Sequence, residues 1–218
     1  MAPLTHPRLG ALAFVVDGGL FVLYPALRPW HDETTVEGAL AAMGSGGWIA
    51  SHLFAMIGFI LLPPALLALW SAVRGTPGDR LGIAATLAGW LGAGLVLPYY
   101  GAEDFGLYAI ARQAAEGERF DLLGLVEAVR FSPVAATTFV LGLLALAVAG
   151  VCTAAAVWRS GTLYRPSGLL FAAGFVLFLP QFYTPAPVRI AHGVLVAVGA
   201  AWLGRELWVA GAAPRRAG

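Results

Sequence analysis

Six long apolar stretches dominate this chain and constrain its fold more than any other feature. They run about 9–27, 47–70, 81–102, 132–158, 167–183 and 188–209. Each is close to the roughly 20 residues that a helix needs to cross the hydrocarbon core of a bilayer. Backbone polar groups cannot stay unpaired in lipid, so such segments must be helical. The sequence therefore predicts an all-α, polytopic membrane protein, a bundle of six transmembrane helices that forms a single domain over 1–218.

The composition supports this class and excludes others. Hydrophobic residues make up 59% of the chain, charged residues make up 11%, and the mean hydropathy of +0.79 excludes an ordinary soluble domain. With a net charge of +1 and no basic run, nucleic acid is not an expected partner. The only cysteine, Cys152, lies in the fourth stretch, so neither an intrachain disulfide nor a two-cysteine motif can form.

The arginines predict how the bundle faces the membrane. With six spans, both termini share one side with the loops 71–80 and 159–166. That side carries Arg8, Arg74, Arg80, Arg159, Arg165, Arg205, Arg215 and Arg216. The opposite side carries five arginines, which nine acidic residues dilute. Because cytoplasmic loops are enriched in arginine, we expect a multi-pass protein of the cell membrane with both termini in the cytoplasm.

Two segments outside the spans have the pattern of amphipathic helices. Residues 103–115 alternate apolar and polar residues at helical spacing, and in 121–130 the residues Leu122, Val126 and Val129 form one apolar stripe. Such helices lie in the membrane interface. They could together cover the outer mouth of the bundle, although plain loops are an alternative.

Polar side chains collect at one end of the bundle. Alternating helix direction brings residues of four spans to one depth in the outer leaflet: His52, Tyr99, Glu103, Asp104, Gln181, Tyr183, Arg189 and His192. Ionisable groups at membrane depth are costly and mark a functional interior by default. Interfacial anchoring is the alternative for the acids and for Arg189, and a structural hydrogen bond is the alternative for His52. Asp17 lies apart, in the middle of the first span, where a close helix contact could also explain it.

These residues favour chemistry on a lipid-like substrate. The chain lacks GxxxxGK[ST], HExxH, DDxxD and a GxSxG motif with triad partners. A desolvated carboxylic acid stays protonated near neutral pH and can protonate an alkene or epoxide, which makes Glu103, Asp104 and Asp17 candidate catalytic acids. Aromatic faces stabilise the cation that forms. The aromatic candidates for the substrate site are Trp48, Tyr99, Tyr100, Phe182 and Tyr183. This chemistry requires no metal or cofactor.

The stretch Tyr-Tyr-Gly-Ala-Glu-Asp at 99–104, together with the size and span count, resembles a known group of proteins. These are small multi-pass actinobacterial proteins similar to the integral-membrane terpene cyclases of meroterpenoid and drimane-type pathways. The resemblance covers the architecture and this one stretch. It implies terpenoid biosynthesis by acid-initiated cyclisation of a prenyl chain, an isomerase- or lyase-type reaction, and it transfers no individual catalytic residue.

Two hypotheses from other classes stay open. His52 and His192 lie at matching depth on different spans, and two opposed imidazoles can ligate a b-type haem for electron transfer. A non-enzymatic channel, transporter component or sensor is the other, and it predicts a continuous aqueous path or a protein partner.

Overall fold

The computed structural model describes residues 7–212, and every regular element in that range is helical. The α-helices are α1 (Pro7–Leu27), α2 (Val36–Met43), α3 (Gly46–Val73), α4 (Asp79–Gly101), α5 (Leu107–Ala115), α6 (Leu122–Phe131), α7 (Pro133–Ser160), α8 (Leu169–Val176) and α9 (Ala186–Ala212). A π-helical turn, Ala102–Gly106, joins α4 to α5, and two 3₁₀ turns, Arg165–Gly168 and Pro180–Tyr183, flank α8.

Five helices are long and apolar enough to cross a membrane. They are Pro7–Leu27, Gly46–Val73, Asp79–Ala115, Pro133–Ser160 and Ala186–Gly211. The third combines α4, the π-helical turn and α5 in one continuous rod of 37 residues. The all-α, multi-pass membrane class predicted from the apolar stretches is therefore confirmed within residues 7–212.

The prediction of six long helices is wrong at the stretch 167–183. Here α8 has only 8 residues and ends at Val176. Pro180 has no N–H and its ring crowds the carbonyl four residues earlier, which is the carbonyl of Val176. Phe178 donates its N–H to Phe175 instead, so the carbonyl of Gly174 is left without its usual helical partner. An apolar composition alone does not reveal this break.

Residues 165–183 still pack along α7 despite the break. A Cβ on Gly168 would lie 2.7 Å from the Cα of Ala154, and the rings of Phe182 and Phe139 are 5.5 Å apart. The two contacts lie roughly 22 Å apart along α7 at a rise of about 1.5 Å per residue. Residues 165–183 thus form a sixth, discontinuous passage, antiparallel to α7.

The six passages form a closed ring in chain order. α1 packs against α3 and α9, α4 packs against α3 and α7, and α8 packs against α7 and α9. Small residues allow the ring to close: a Cβ on Gly18 would lie 2.8 Å from the Cα of Ala197, so α1 and α9 are in near-backbone contact.

The two ends of the ring can be named from the helix termini. A Cβ on Gly211 would lie 2.8 Å from the Cβ of Pro7, so the two ends of the described chain are neighbours. We call this the proximal end, and the opposite end, at Leu27, Gly101 and Ala186, the distal end. The chain termini themselves lie outside the described residues, so their predicted placement on one side stays a prediction.

Phenylalanines fill the interior of the ring from the proximal end to its middle. Phe21 packs edge-on against Phe59, Phe175 and Phe178 at ring distances of 5.0, 6.0 and 5.5 Å. Phe14 packs against Phe171 in the same way. A densely packed apolar core gives the bundle its stability and separates the distal end from the proximal end.

A second, smaller apolar cluster covers part of the distal end. It joins α2, α5 and α6 through Met43, Leu107, Ala111, Leu122 and Val126. The predicted interfacial helices at 103–115 and 121–130 are confirmed as helices, and the apolar stripe of α6 faces this cluster. The cluster fixes the position of α6, whose last turn carries Arg130.

Candidate functional site

A cavity of about 530 Å³ opens at the distal end of the ring. Its wall is formed by both non-spanning segments and spanning helices: Tyr24, Arg28, Trp30, His31, Asp32, Glu33, His52, Tyr99, Tyr100, Glu103, Arg130, Phe131, Ala136, Phe139, Val140, Leu179, Phe182, Tyr183 and Arg189. The volume lies in the range of small-molecule sites. The exposed rings of Phe131 and Tyr183 lie at its edge.

The predicted acids lie on the π-helical turn. Such turns insert an extra residue into an α-helix and frequently occur at functional sites. Here the turn buries two consecutive acidic side chains, Glu103 and Asp104. Only Glu103 borders the cavity. Both carboxyl oxygens of Asp104 are buried without a hydrogen-bond partner among the described residues.

Glu103 belongs to a chain of alternating charges. Arg130 donates from Nε to Oε1 of Glu103 at 2.6 Å and from Nη2 to Oε2 at 2.9 Å. The Nη2 of Arg130 also lies 2.8 Å from Oε2 of Glu33, whose Oε1 accepts from Arg28 at 2.6 Å. Because both oxygens of Glu103 accept hydrogen bonds from Arg130, the group has the geometry of a carboxylate and not of a protonated acid.

The charges outside the spans stabilise one another. Burial opposes ionisation of Glu33, but the guanidinium groups of Arg28 and Arg130 outweigh it and lower the pKa of Glu33 below its usual value. Burial also opposes the charge of Arg130, but Glu103 and Glu33 raise its pKa above that of a free arginine. The network therefore holds both arginines and Glu33 in their charged forms.

Trp48 contacts the arginines of the ion-pair chain but does not border the cavity. Its indole Nε1 donates to the backbone carbonyl of Glu103 at 2.8 Å. The guanidinium carbons of Arg28 and Arg130 lie 4.9 and 5.8 Å from the centre of the indole ring. These cation–π contacts and the hydrogen bond fix the position of the π-helical turn relative to α3. The predicted role of Trp48 in contacting substrate is not supported by this position, since the ring is fully buried.

His52 borders the cavity with one ring nitrogen already used. Its Nδ1 lies 2.8 Å from the carbonyl oxygen of Trp48, so Nδ1 carries the proton of that hydrogen bond. The neutral ring then presents an acceptor at Nε2, which makes no hydrogen bond with the described residues. Tyr24 and Tyr100 surround the imidazole at ring distances of 5.5 and 6.0 Å. This arrangement suits a proton acceptor better than a proton donor.

Arg189 lies on the first turn of α9 and also borders the cavity. Its guanidinium lies over Trp30 and Phe182, at 5.3 and 5.2 Å from the ring centres, and its Nη2 donates to the carbonyl of Phe182. No carboxylate of the described chain lies within ion-pair distance of it. Its Nε is buried and has no hydrogen-bond partner among residues 7–212.

The remaining wall is aromatic and apolar. Tyr99 stacks on Phe139 at 4.1 Å, and Phe139 meets Phe182 edge-on at 5.5 Å. Val140 and Leu179 extend this surface. One cavity is thus lined both by arginines and carboxylates and by aromatic and apolar side chains.

Not all of the predicted residues meet there. Gln181 and His192 border a smaller adjoining recess beside Phe178, not the main cavity. His192 contacts the carbonyl of Gly174 through Nε2 at 2.7 Å and thereby satisfies the oxygen freed by the break in α8. Asp17 is fully buried at the contact of α1 with Gly58 of α3, away from both spaces. The prediction that His192 shares a cavity with His52 and Glu103 is therefore wrong for His192.

The positions of the histidines do not fit a shared haem. His52 and His192 border different spaces, and His192 uses its Nε2 for the Gly174 carbonyl. The ring of Phe178 also packs against His192 at a ring distance of 5.2 Å, nearly perpendicular to it. Within residues 7–212 no group of three or more histidine, cysteine, aspartate or glutamate side chains could hold a metal ion.

Sequence reasoning missed several residues of the wall. Arg28, Glu33 and Arg130 are among the five arginines and nine acidic residues of the side opposite the termini, and no sequence pattern singles out Trp30 or Phe139. The excess of acids on that side was the available signal, because buried carboxylates in a membrane protein need cationic partners. The pairing itself spans up to 97 residues between Glu33 and Arg130 and leaves no local pattern.

The chain matches no protein-family model, and comparisons with curated proteins and with solved structures also gave no match.

Proposed function

We propose that this protein is a membrane-embedded enzyme that binds a lipid-like substrate, of the prenyl or terpenoid class, in the distal cavity. The observation that carries the proposal is the cavity itself: about 530 Å³ at the distal end of a bundle of apolar helices, lined by both charged and aromatic side chains. An apolar chain gains by leaving water or headgroups for such a wall. The filled phenylalanine core on the proximal side argues against a channel through the ring.

For the chemistry we propose proton-initiated cyclisation. A proton adds to a double bond of the substrate, the resulting cation is attacked by a second double bond to form a carbon–carbon bond, and a proton then leaves. Substrate and product are isomers. The rings of Tyr99, Tyr100 and Phe182 supply faces that stabilise the cation. His52 is positioned to accept the departing proton at Nε2.

Among the acids, the geometry favours Asp104 as the proton donor. Glu103 already accepts two hydrogen bonds from Arg130, so its carboxylate suits stabilisation of a nearby cation. Asp104 follows it on the π-helical turn, and no described residue binds its carboxyl group. Donation from Asp104 requires its side chain to turn toward the cavity. Asp17 is too remote from the cavity to take this role.

The test is turnover in heavy water. Membranes containing the protein are incubated with farnesol and geranylgeraniol in D₂O, and the products are analysed by mass spectrometry. A cyclic isomer with one non-exchangeable deuteron is expected. Asp104→Asn should reduce its formation by roughly 10²–10⁴-fold, as expected for loss of a general acid, while Tyr99→Leu should reduce it less or redirect the products. Full activity of a Glu103→Gln, Asp104→Asn double variant would refute the acid assignment.

A second candidate is a binding protein without chemistry, such as a lipid carrier or sensor. The observation that favours it is that every carboxylate on the wall is already engaged: Glu33 and Glu103 with arginines, and Asp32 with Thr34. This candidate predicts that prenyl alcohols bind and are recovered unchanged. Ala136→Trp, which fills the cavity, should then abolish binding, whereas the control Val134→Trp, at a position that does not border the cavity, should not.

We also propose that the proximal end faces the cytoplasm. The described arginines of that end are Arg8, Arg74, Arg80, Arg159, Arg165 and Arg205, whereas Arg215 and Arg216 lie outside the described residues. Arginine enrichment marks the cytoplasmic side. Single cysteines placed at positions 75 and 125 in a Cys152→Ala background should be labelled from opposite sides of the membrane. Labelling of both from one side would contradict the arrangement.

A further inference from the structure

The cavity contains one cation whose charge the described chain does not neutralise. Of the three arginines on the wall, Arg28 and Arg130 share Glu33, and Arg130 also pairs with Glu103. Arg189 has no such partner. The remaining acid of the wall, Asp32, lies exposed and binds Thr34 through its carboxylate, so solvent screens its charge.

Arg189 is also held in place for a ligand. Trp30 and Phe182 contact the guanidinium at 5.3 and 5.2 Å, and the backbone carbonyl of Phe182 accepts from Nη2. These contacts fix the orientation of the group without neutralising it. The buried Nε, which has no partner, and the first turn of α9 add to the local preference for a negative charge. Arg189 is half-buried, and a bound anion would offset the cost of holding its unpaired charge partly away from water.

The apolar wall lies beside this cation. Phe182 contacts both Arg189 and Phe139, and Val140 and Leu179 also line the cavity. A molecule with an anionic head and an apolar chain would match both parts at once. A free inorganic anion would leave the apolar wall empty, and a neutral prenyl alcohol would leave Arg189 without a counter-ion.

We propose that the distal cavity selects an amphiphile with an anionic head, phosphate or carboxylate, which Arg189 binds as a bidentate ligand while the chain lies against Phe139 and Phe182. This inference rests on the proposed function, because it names the substrate class of that same cavity. Arg189 is then the residue that determines head-group specificity.

The test compares three ligands in nanodiscs of neutral lipid: farnesyl phosphate, farnesol and inorganic phosphate. Binding is measured at pH 7.5 with radiolabelled ligands and with protein-free nanodiscs as the blank. The wild-type protein should bind farnesyl phosphate at least roughly 10-fold more tightly than farnesol, the effect of a charge-assisted hydrogen-bonded pair. Inorganic phosphate at equal concentration should not displace farnesyl phosphate.

Variants assign the preference to Arg189. In Arg189→Gln the preference should disappear while farnesol binding stays, which also shows that the variant is folded. Arg189→Lys should retain part of the preference because the charge remains but the planar fork is lost. The control Arg112→Gln removes an exposed arginine of α5 that pairs with Glu116 and should behave like the wild type.

The outcomes separate the two proposals. Equal wild-type affinity for farnesyl phosphate and farnesol would overturn the anionic-head inference and leave the lipid-binding cavity standing. Displacement by inorganic phosphate as effective as by farnesyl phosphate would also overturn it, in favour of a free-anion site. A preference unchanged in Arg189→Gln would overturn the assignment to Arg189. Absence of binding of both prenyl ligands to the wild type would overturn the proposed function together with the inference.

Discussion

The proximal and distal halves of the ring are built by the same helices but have opposite interiors. In the proximal half and the middle, phenylalanines of α1, α3 and α8 fill the space and exclude water. At the distal end, the same ring encloses a cavity of about 530 Å³. The difference lies in which segments contribute. Side chains of the spans fill most of the core, whereas Arg28, Glu33 and Arg130 enter the distal wall from the connections.

This contrast indicates how a small membrane bundle can keep a cavity open. Charged side chains that bind one another cannot collapse into an apolar core, because each would lose its partner. The ion-pair chain from Arg28 to Glu103 therefore stands where additional apolar packing would otherwise form. The distal half then depends on polar contacts for its order, and the proximal half depends on packing.

The largest expected change in stability distinguishes a residue of the packed core from a residue that lines the cavity. Phe59→Ala removes a fully buried ring of the core and should destabilise the protein by about 3–5 kcal/mol. Phe139→Ala removes a ring that faces existing open space and should cost about 1–2 kcal/mol, since fewer contacts are lost. Unfolding in mixed detergent and SDS measures both. Equal losses would mean that the cavity is closed and packed.

The next effect concerns the polar half. Arg130→Met leaves the carboxylates of Glu103 and Glu33 short of a cation and should destabilise the protein by about 3 kcal/mol. Adding Glu103→Gln to this variant should restore part of the loss, because one unpaired buried charge is removed. The same unfolding assay measures the single and double variants. A double variant less stable than the single one would show that the ion pair does not order the distal half.

Low pH should destabilise the protein by less than the Arg130→Met substitution does. The pKa of Glu33 is lowered by Arg28 and Arg130, so its pairing contributes stability above the usual glutamate pKa of about 4.3, and this contribution is lost as the pH falls through the lower folded value. As the pH falls below about 5, stability of the wild type should therefore decrease more steeply than that of Glu33→Gln. Parallel pH profiles would contradict the assignment of Glu33 to the ion-pair chain.

The smallest effect concerns the break in the discontinuous passage, residues 165–183. His192→Phe removes the hydrogen bond to the Gly174 carbonyl and should cost about 1–2 kcal/mol, because a buried acceptor loses its partner. His192→Gln can still donate and should recover part of that loss. Ligand binding in the distal cavity should change little, since His192 borders the adjoining recess. A selective loss of ligand binding with unchanged stability would instead place His192 in the site.

Hydropathy predicted the membrane class and five of the long helices because each depends only on local composition. It could not distinguish the broken passage at 167–183, since α8 is as apolar as a continuous span. A local feature and a tertiary contact decide the break: the crowding by Pro180, and the hydrogen bond from His192 on another helix. The proline marks a place where the helix can break, but the carbonyl freed there finds its partner only when α9 is in place.

The candidate site was predictable in depth but not in direction. Alternating helix order correctly brought His52, Glu103 and Arg189 to one level. It could not predict that His192, at the same level, borders a separate recess. The direction in which a side chain points around its helix depends on how the neighbouring helices pack. Glu103 was expected to act as a free acid, and its bidentate partner Arg130 lies 27 residues further along the chain in another helix.

The central claim is that the distal cavity is an open chamber for an amphiphile between Arg189 and the wall at Phe139. A cryo-electron microscopy map of the protein in nanodiscs, with a bromine-labelled prenyl phosphate added, tests it most directly. The predicted result is an elongated density along Phe139 and Phe182 with its phosphate at Arg189. A map in which side chains fill this space, and in which the ligand lies only on the outer lipid-facing surface, would contradict the account.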